Sequence, residues 1–130
     1  MPGVKRMVVS QGEAFSGDLP ADGKFQIFID EEIAGAKNFS LLLNEMHSEV
    51  GSEHAHQVEH AFFILSGRGK YSIGGKEYDV GPGMALFAPA GALHRLRKVG
   101  PEPLRYIVIY APPGPEKELR LKGRGAFEKG

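Results

Sequence analysis

Histidines are the residues of this sequence whose type and spacing could do chemistry. Four of the five lie close together in the chain, as His54, His56, His60 and His94. Two histidines separated by one residue share a face of a β-strand, because side chains alternate with a period of two. Their Cα atoms then lie roughly 7 Å apart, so that both imidazoles can reach one ion. The pattern therefore predicts a metal site built from imidazole ligands.

The absence of cysteine narrows the chemistry of such a site. With no cysteine in the chain, thiolate ligands, disulfides and a cysteine nucleophile are excluded. The metal must be held by nitrogen and oxygen ligands. Imidazole suits Mn, Fe, Ni, Cu and Zn, so the ligand type alone does not choose between these ions.

The elements that must position these histidines are predicted to be short strands. Eighteen glycines and nine prolines are spread between short apolar runs, which favours an all-β domain with frequent turns. Glycines 74 and 75 predict a two-residue hairpin turn. No convincing amphipathic helix is present, and the pattern indicates a sandwich or barrel. The predicted strands are Val4–Ser10, Lys24–Asp30, Asn38–His47, Ala61–Leu65, Lys70–Ile73, Lys76–Tyr78, Met84–Ala88, His94–Val99 and Leu104–Tyr110.

The length of 130 residues predicts one domain with three parts. Residues 1–37 are predicted to form N-terminal strands and loops that pack on a barrel, and residues 38–111 to form the barrel itself. The proline-rich run after Ala111 and the charged, glycine-containing residues that follow predict a C-terminal tail or partner-contacting arm over residues 112–130.

Charge and hydropathy argue against two classes of partner. Lys plus Arg equals Asp plus Glu, at 16 each, so nothing in the balance points to nucleic acid or an anionic membrane. No apolar run approaches the roughly 20 residues needed to cross a bilayer. Residues 1–6 lack the apolar stretch and cleavage site of a signal peptide, so we expect a cytoplasmic protein.

The spacing of histidines, glycines and one proline resembles the two sequence motifs of the cupins. The resemblance covers about residues 38–111 and implies an all-β double-stranded β-helix, the jelly-roll cupin barrel. The first motif is matched by His54-x-His56, three residues, His60, six residues and Gly67, and the second by Gly83, five residues, Pro89-x-Gly91, two residues and His94.

One departure from the family pattern concerns the metal ligands. His60 stands where the first motif has a glutamate, and this resembles small single-domain cupins of the four-histidine, manganese-binding subgroup. The resemblance implies one divalent ion per chain held by His54, His56, His60 and His94, with Mn first and Fe, Ni, Zn or Cu as alternatives. Glu59 would be the ligand if the strand register slipped by one residue, although the spacing favours His60.

Three further residue assignments follow from position. His47 falls outside the motif and is predicted to lie on the surface. Lys98 stands where many cupins have asparagine. The candidate pocket-lining residues are apolar, with ordinary core packing as the alternative role, and they are Phe62, Ile64, Met84 and Leu86.

Four neutral imidazoles would leave a divalent ion with its full charge, which makes it a stronger Lewis acid and a better anion binder. The resemblance then implies a metal-dependent enzyme of dioxygenase, lyase or isomerase type that acts on a small, oxygen-rich organic molecule. The alternative is a non-catalytic module that binds or senses a small ligand or the metal. No residue can be named as a general base.

The resemblance also implies a homodimer formed through N-terminal strands. From the residues alone, the flat apolar segment Phe25–Ile29 is the candidate sheet edge for such a contact.

Overall fold

The structure, a computed structural model, describes residues 5–19, 22–49 and 55–121. Within them nine strands form two antiparallel sheets, which confirms the predicted all-β jelly roll. The strands are β1 (Phe15–Leu19), β2 (Gly23–Ile29), β3 (Ser40–Met46), β4 (Glu59–Ser66), β5 (Arg68–Ile73), β6 (Lys76–Val80), β7 (Ala85–Ala88), β8 (His94–Val99) and β9 (Leu104–Ala111). The larger sheet has six strands in the order β1-β2-β3-β9-β4-β7, and the smaller has three in the order β6-β5-β8.

The core lies between the two sheets and follows the period-two alternation of the strands. Along β9, every second side chain from Leu104 to Tyr110 is buried, and the intervening residues are half-buried. Along β4, the buried residues are His60, Phe62 and Ile64. Because inward and outward positions alternate, the same pattern that builds the core also turns His60 into the barrel.

Two glycine turns fix the register of the central strands. Gly74 and Gly75 have φ angles of 59° and 76°, as a two-residue hairpin turn between β5 and β6 requires, and this confirms the predicted hairpin. Gly67 ends β4 with a φ of 84°, and a Cβ atom there would lie 2.3 Å from the carbonyl oxygen of Pro103. Only glycine therefore fits at this position.

The prediction of a first strand at Val4–Ser10 was wrong over its described part, residues 5–10, which form no strand. The backbone instead enters a short 3-10 helix at Gln11–Glu13, where the Glu13 carboxylate accepts a hydrogen bond from the Ser10 N–H at 3.0 Å. The first strand is β1, in a segment predicted as a loop. Phe15 packs on Phe25 with 6.3 Å between ring centroids, a long-range contact that local pattern does not reveal.

The prediction that Phe25–Ile29 forms a sheet edge was also wrong. These residues belong to β2, which is hydrogen-bonded to β1 on one side and β3 on the other. Phe25 and Ile27 are fully buried in the core. A strand with two neighbours has no free edge, so it cannot pair with another chain.

Two helical segments complete the fold. Helix α1 (Glu31–Ala34) is a single turn that begins at Asp30, whose carboxylate accepts the Ile33 N–H at 2.8 Å. Residues 115–121, called α2 below, are also helical, which the composition did not predict. Both Glu116 and Arg120 of α2 are buried, so the described part of the predicted tail is docked on the barrel. In the described ranges no helix has the length and apolar character to cross a membrane.

Candidate metal centre

Three of the four predicted ligands converge inside the barrel. His60 lies near the start of β4 and His94 begins β8, and both are buried. His56 precedes β4 and is half-buried. One ring nitrogen from each of the three lies within 4.8 Å of the others, so the three could hold a metal ion. His54, the fourth predicted ligand, lies outside the described residues.

The fold brings the two histidine motifs together from different sheets. β4 belongs to the six-stranded sheet and β8 to the three-stranded sheet, so His60 and His94 face each other across the interior. The Gly91 N–H, in the turn before β8, donates to the carbonyl oxygen of His56 at 2.7 Å. This bond fixes the turn of the second motif directly against the first motif.

The tautomer of His94 follows from its backbone contact. Its Nδ1 lies 3.0 Å from the carbonyl oxygen of Ala92, and because a carbonyl can only accept, Nδ1 carries the proton. In the neutral ring Nε2 then carries the lone pair, and it lies 3.3 Å from His60 Nδ1. Two nitrogens that share one ion at ~2.0–2.1 Å each can lie no more than about 4 Å apart, so this separation suits a shared ion.

The orientation of β4 separates His60 from Glu59. His60 points into the barrel and is paired with Tyr110 and Ala88 in the sheet, whereas Glu59 is exposed. The cluster found in the described ranges consists of histidines only. The donor set therefore fits a divalent first-row ion that accepts nitrogen ligands.

Aromatic rings hold the buried imidazole of His60. The Phe62 ring centroid lies 4.2 Å from that of His60, and the Tyr110 centroid lies 4.4 Å away. Tyr110 also contacts His56, at 5.5 Å. Burial, with smaller contributions from Tyr106 and nearby acidic residues, raises the pKa of Tyr110 well above its usual range, so the phenol is neutral.

Sequence reasoning missed Tyr110 as a neighbour of the site. The alternation within β9 places it on the inner face, but its contact with His60 depends on the pairing of β9 with β4, two strands far apart in the chain. Tyr71 was missed for the same reason. Its hydroxyl donates to the carbonyl oxygen of Phe87 at 2.9 Å, and its ring centroid lies 6.4 Å from His94.

The four candidate pocket-lining residues occupy different places. Phe62 is buried against His60, and Leu86, its partner on β7, is buried beside it. Ile64 is fully buried two residues further along β4. Met84 lies before β7 at the far end of the strand from Ala88, the partner of His60, and it is exposed with its sulfur 3.2 Å from the Gly81 nitrogen.

The remaining polar residues singled out by the sequence lie away from the cluster. His47 is an exposed residue whose Nε2 lies 3.0 Å from Glu45 Oε2. Lys98 is buried near the end of β8, where its ammonium donates to the carbonyl oxygen of Gly100. Neither belongs to the histidine cluster.

Comparison with known proteins gives a family and a fold. Residues 44–110 match the family described as Cupin domain. The uncharacterized protein SCO3923 of Streptomyces coelicolor is 28% identical over 93 residues, which cover 71% of this chain and 83% of that protein. The polyketide cyclase RemF of Streptomyces resistomycificus is 23% identical with a TM-score of 0.71, covering 83% and 80% of the two chains. KdgF from Halomonas sp. is 14% identical with a TM-score of 0.74, covering 87% and 99%.

Proposed function

The chain belongs to the cupin family, and from that premise we propose that it is a metal-dependent enzyme acting on a small, oxygen-rich organic molecule. The observation that carries the proposal is the convergence of His56, His60 and His94, with ring nitrogens within 4.8 Å of one another in the barrel. The proposed ligand set adds His54, two residues before His56, and the proposed ion is Mn. This is the four-histidine arrangement of manganese-binding cupins.

The chemistry supplied by a divalent ion in this cluster is Lewis-acid activation of a carbonyl or carboxylate oxygen, or of water. The fold orients the candidate ligands for that ion. Because the Nδ1–H of His94 is held by the Ala92 carbonyl, the Nε2 lone pair stays directed at the centre of the cluster. Phe62 and Tyr110 pack on His60 and restrict its rotation.

The character of the donors supports an anionic or oxygen-rich substrate. Glu59 is exposed, so it does not add a negative charge to the described cluster. Imidazoles are neutral ligands, and an ion held by them keeps its full positive charge for a carboxylate, enolate or phenolate. The buried rings of Phe62 and Tyr110 exclude water and strengthen that attraction.

The first experiment is metal analysis of the purified protein, followed by a substrate panel. We expect close to one equivalent of divalent metal per chain, with manganese restoring activity after chelation. Turnover of a diketone, catechol or keto acid that is lost on chelation supports the enzyme. Tight binding of such molecules without any product supports the alternative, a non-catalytic ligand-binding module. Protein that neither contains nor takes up metal overturns the proposed enzyme.

A further inference from the structure

One side-chain hydrogen bond crosses from the three-stranded sheet to the six-stranded sheet beside the histidine cluster. The hydroxyl of Tyr71, a buried residue of β5, donates to the carbonyl oxygen of Phe87 on β7 at 2.9 Å. Among the described strands, the pair His60–His94 is the other place where side chains of one sheet come within hydrogen-bond distance of the other sheet. The Tyr71 ring centroid lies 6.4 Å from that of His94, so these two cross-sheet contacts are neighbours.

The strand register places the Tyr71 hydrogen bond close to the backbone that carries two of the candidate ligands. Phe87 immediately precedes the residue that is paired with His60 in the sheet. Tyr71 lies two residues before the residue that is paired with His94. At ~3.4 Å per residue along a strand, the bond is therefore anchored within about 7 Å of both pairing positions. A movement of β5 relative to β7 is transmitted to both histidines through this pairing.

The position of β7 in its sheet explains why the Phe87 carbonyl takes its donor from a side chain. β7 is the last strand of the six-stranded sheet, and among the described strands it pairs with β4 alone. A carbonyl on the unpaired side of such a strand has no backbone donor in its own sheet, and backbone acceptors away from water need a partner. The Tyr71 hydroxyl supplies that donor from the opposite sheet, which fixes the distance between β5 and β7.

The ring of Tyr71 makes separate, apolar contacts with the surroundings of the cluster. Its centroid lies 5.9 Å from that of Phe62 in an edge-on arrangement. Phe62 in turn lies 4.2 Å from the centroid of His60. These contacts use the ring and not the hydroxyl, so a phenylalanine in place of Tyr71 retains them. The contributions of the hydroxyl and of the ring can therefore be separated by one substitution.

We propose that Tyr71 is a positioning residue of the histidine cluster, whose hydroxyl sets the separation of His60 from His94 by holding β5 against β7. The consequence for metal binding rests on the function proposed above, whereas the separation is a property of the metal-free protein. His60 Nδ1 and His94 Nε2 lie 3.3 Å apart, and two nitrogens on one ion can be at most about 4 Å apart, so a widening of more than about 0.7 Å takes one of them off the ion.

Removal of the hydroxyl should widen this separation. In Tyr71→Phe the Phe87 carbonyl loses its donor, and a water molecule becomes the remaining source of a hydrogen bond. A water between the phenylalanine ring and β7 needs more space than the direct bond of 2.9 Å. We therefore expect β5 and β7 to move apart, and His94 to move away from His60.

The first test measures the separation itself in metal-free protein by NMR. The nuclear Overhauser effect between the ring protons of His60 and His94 is compared in the wild type, Tyr71→Phe and Tyr78→Phe. Tyr78 is the matched control, because it is paired with Tyr71 on β6 but is 46% exposed. We expect the effect to be lost in Tyr71→Phe and to keep its wild-type intensity in Tyr78→Phe. Equal intensities in the three proteins overturn the proposal.

The second test is a titration with Mn²⁺ followed by electron paramagnetic resonance. We expect the dissociation constant of Mn²⁺ to rise ~10-fold or more in Tyr71→Phe, the size typical of a residue that orients metal ligands without binding the ion. The spectrum of the manganese-saturated variant should also change, since it reports the arrangement of ligands around the ion. Tyr78→Phe should match the wild type in both respects. A role in stability alone would lower resistance to urea but leave the dissociation constant and the spectrum unchanged, which would contradict the proposal.

A measurement on the wild type does not depend on how the variant folds. The hydroxyl proton of Tyr71, held by the Phe87 carbonyl, should exchange with water more slowly than that of Tyr78, and equal exchange rates would overturn the proposal. The tests also separate this inference from the proposed function. A wild type that binds manganese no better than Tyr71→Phe disproves the positioning role and leaves the metal site intact. A wild type that binds no divalent ion disproves the proposed function, and the NMR comparison then decides the role of Tyr71.

Discussion

Two clusters of polar side chains have buried members in this protein. They differ in whether those members are chemically alike or complementary. The histidine cluster brings together three side chains of one type. The second cluster, called the C-terminal clasp, joins α2 to the barrel through two pairs of unlike groups. Ser40 donates to Glu116 at 2.9 Å, and Arg120 Nε donates to Asp30 at 3.0 Å.

Every charge of the clasp has a counter-group in its immediate surroundings. The Arg120 side chain is 11% exposed and that of Asp30 is 5% exposed, and Arg120 Nη2 lies 2.9 Å from the Asp30 carboxylate. The guanidinium also lies 4.4 Å above the centre of the Phe15 ring. Glu116 accepts a second hydrogen bond, from the Gly114 N–H at 2.8 Å. Such compensation holds a segment in place.

The histidine cluster has the opposite chemistry. Its members present nitrogen atoms of the same kind to one centre, and no acid belongs to the described group. One cation can accept the lone pairs of several such nitrogens at once. A histidine of the cluster cannot form a hydrogen bond with all the others at the same time. We therefore propose that the clasp contributes stability and that the histidines bind a ligand, and substitutions in each should separate these two properties.

The largest expected effect is the loss of metal in His60→Ala. His60 is buried at the centre of the cluster, and removing a metal ligand costs far more affinity than altering a neighbour. We expect the metal content of the purified protein, measured by mass spectrometry, to fall from about one equivalent to near zero. The barrel should remain folded by circular dichroism.

The matched control for His60→Ala is Glu59→Ala, one residue earlier on the exposed face of β4. Its metal content should equal that of the wild type. Equal losses in the two variants would contradict the orientation of β4 and place the carboxylate in the ligand set.

The second expected effect is a loss of stability without loss of metal in Arg120→Met. Methionine retains much of the apolar volume, but it leaves the buried Asp30 carboxylate without its cation, which typically costs about 3–5 kcal/mol. Urea unfolding monitored by circular dichroism measures the change. Glu32→Gln is the control, because the Glu32 side chain is 59% exposed and its ion pair with Arg120 should be worth at most about 1 kcal/mol. A large loss of metal in Arg120→Met would contradict the division of roles.

The same two clusters show what the sequence could and could not predict. The histidines were found because they stand at the spacing of the two cupin motifs, and the distances from His56 and to Gly67 favoured His60 over Glu59. The clasp was missed because its partners are 76 and 90 residues apart in the chain. Glu116 lies in a charged segment that follows several prolines. Local composition does not distinguish such a buried residue from one in a solvated tail.

The strand predictions failed for a related reason at the N-terminus. Phe15 and Leu19 face inward on β1, but the glycine between them and the polar residues around them weaken the apolar alternation. Residues 5–10 contain a more apolar run, yet Met7 and Val8 are exposed because no described strand pairs with them. Pairing between strands, rather than local propensity, therefore determines which of these segments forms a strand.

The third expected effect concerns Tyr106, a buried neutral side chain that belongs to neither cluster. Burial raises the pKa of Tyr106 to about 12, with a smaller opposing contribution from its hydrogen bond with Asn44. In the unfolded chain a tyrosine ionises near pH ~10. The contribution of the neutral Tyr106 phenol to the free energy of unfolding is therefore fully present below about pH 10. It is lost as the pH rises through about 12, by up to about 3 kcal/mol.

Urea unfolding between about pH 8 and about pH 12 measures this loss for the wild type and for Tyr106→Phe. Because phenylalanine cannot ionise, the variant should lose less stability over that interval, although it is less stable at pH ~8 for want of the Asn44 hydrogen bond. Parallel stability curves for the two proteins would mean that the phenol of Tyr106 ionises in the folded protein as easily as in water.

The smallest expected effect concerns His47, the one histidine outside the ligand pattern. Its ring is exposed and lies 3.0 Å from the Glu45 carboxylate, a surface contact worth at most about 1 kcal/mol. His47→Ala should therefore keep the metal content of the wild type and change the free energy of unfolding by less than about 1 kcal/mol. Measuring the metal content of His47→Ala and His60→Ala together compares two substitutions of the same residue type. If His47→Ala also lost its metal, burial within the barrel would not be what separates a ligand histidine from a surface one.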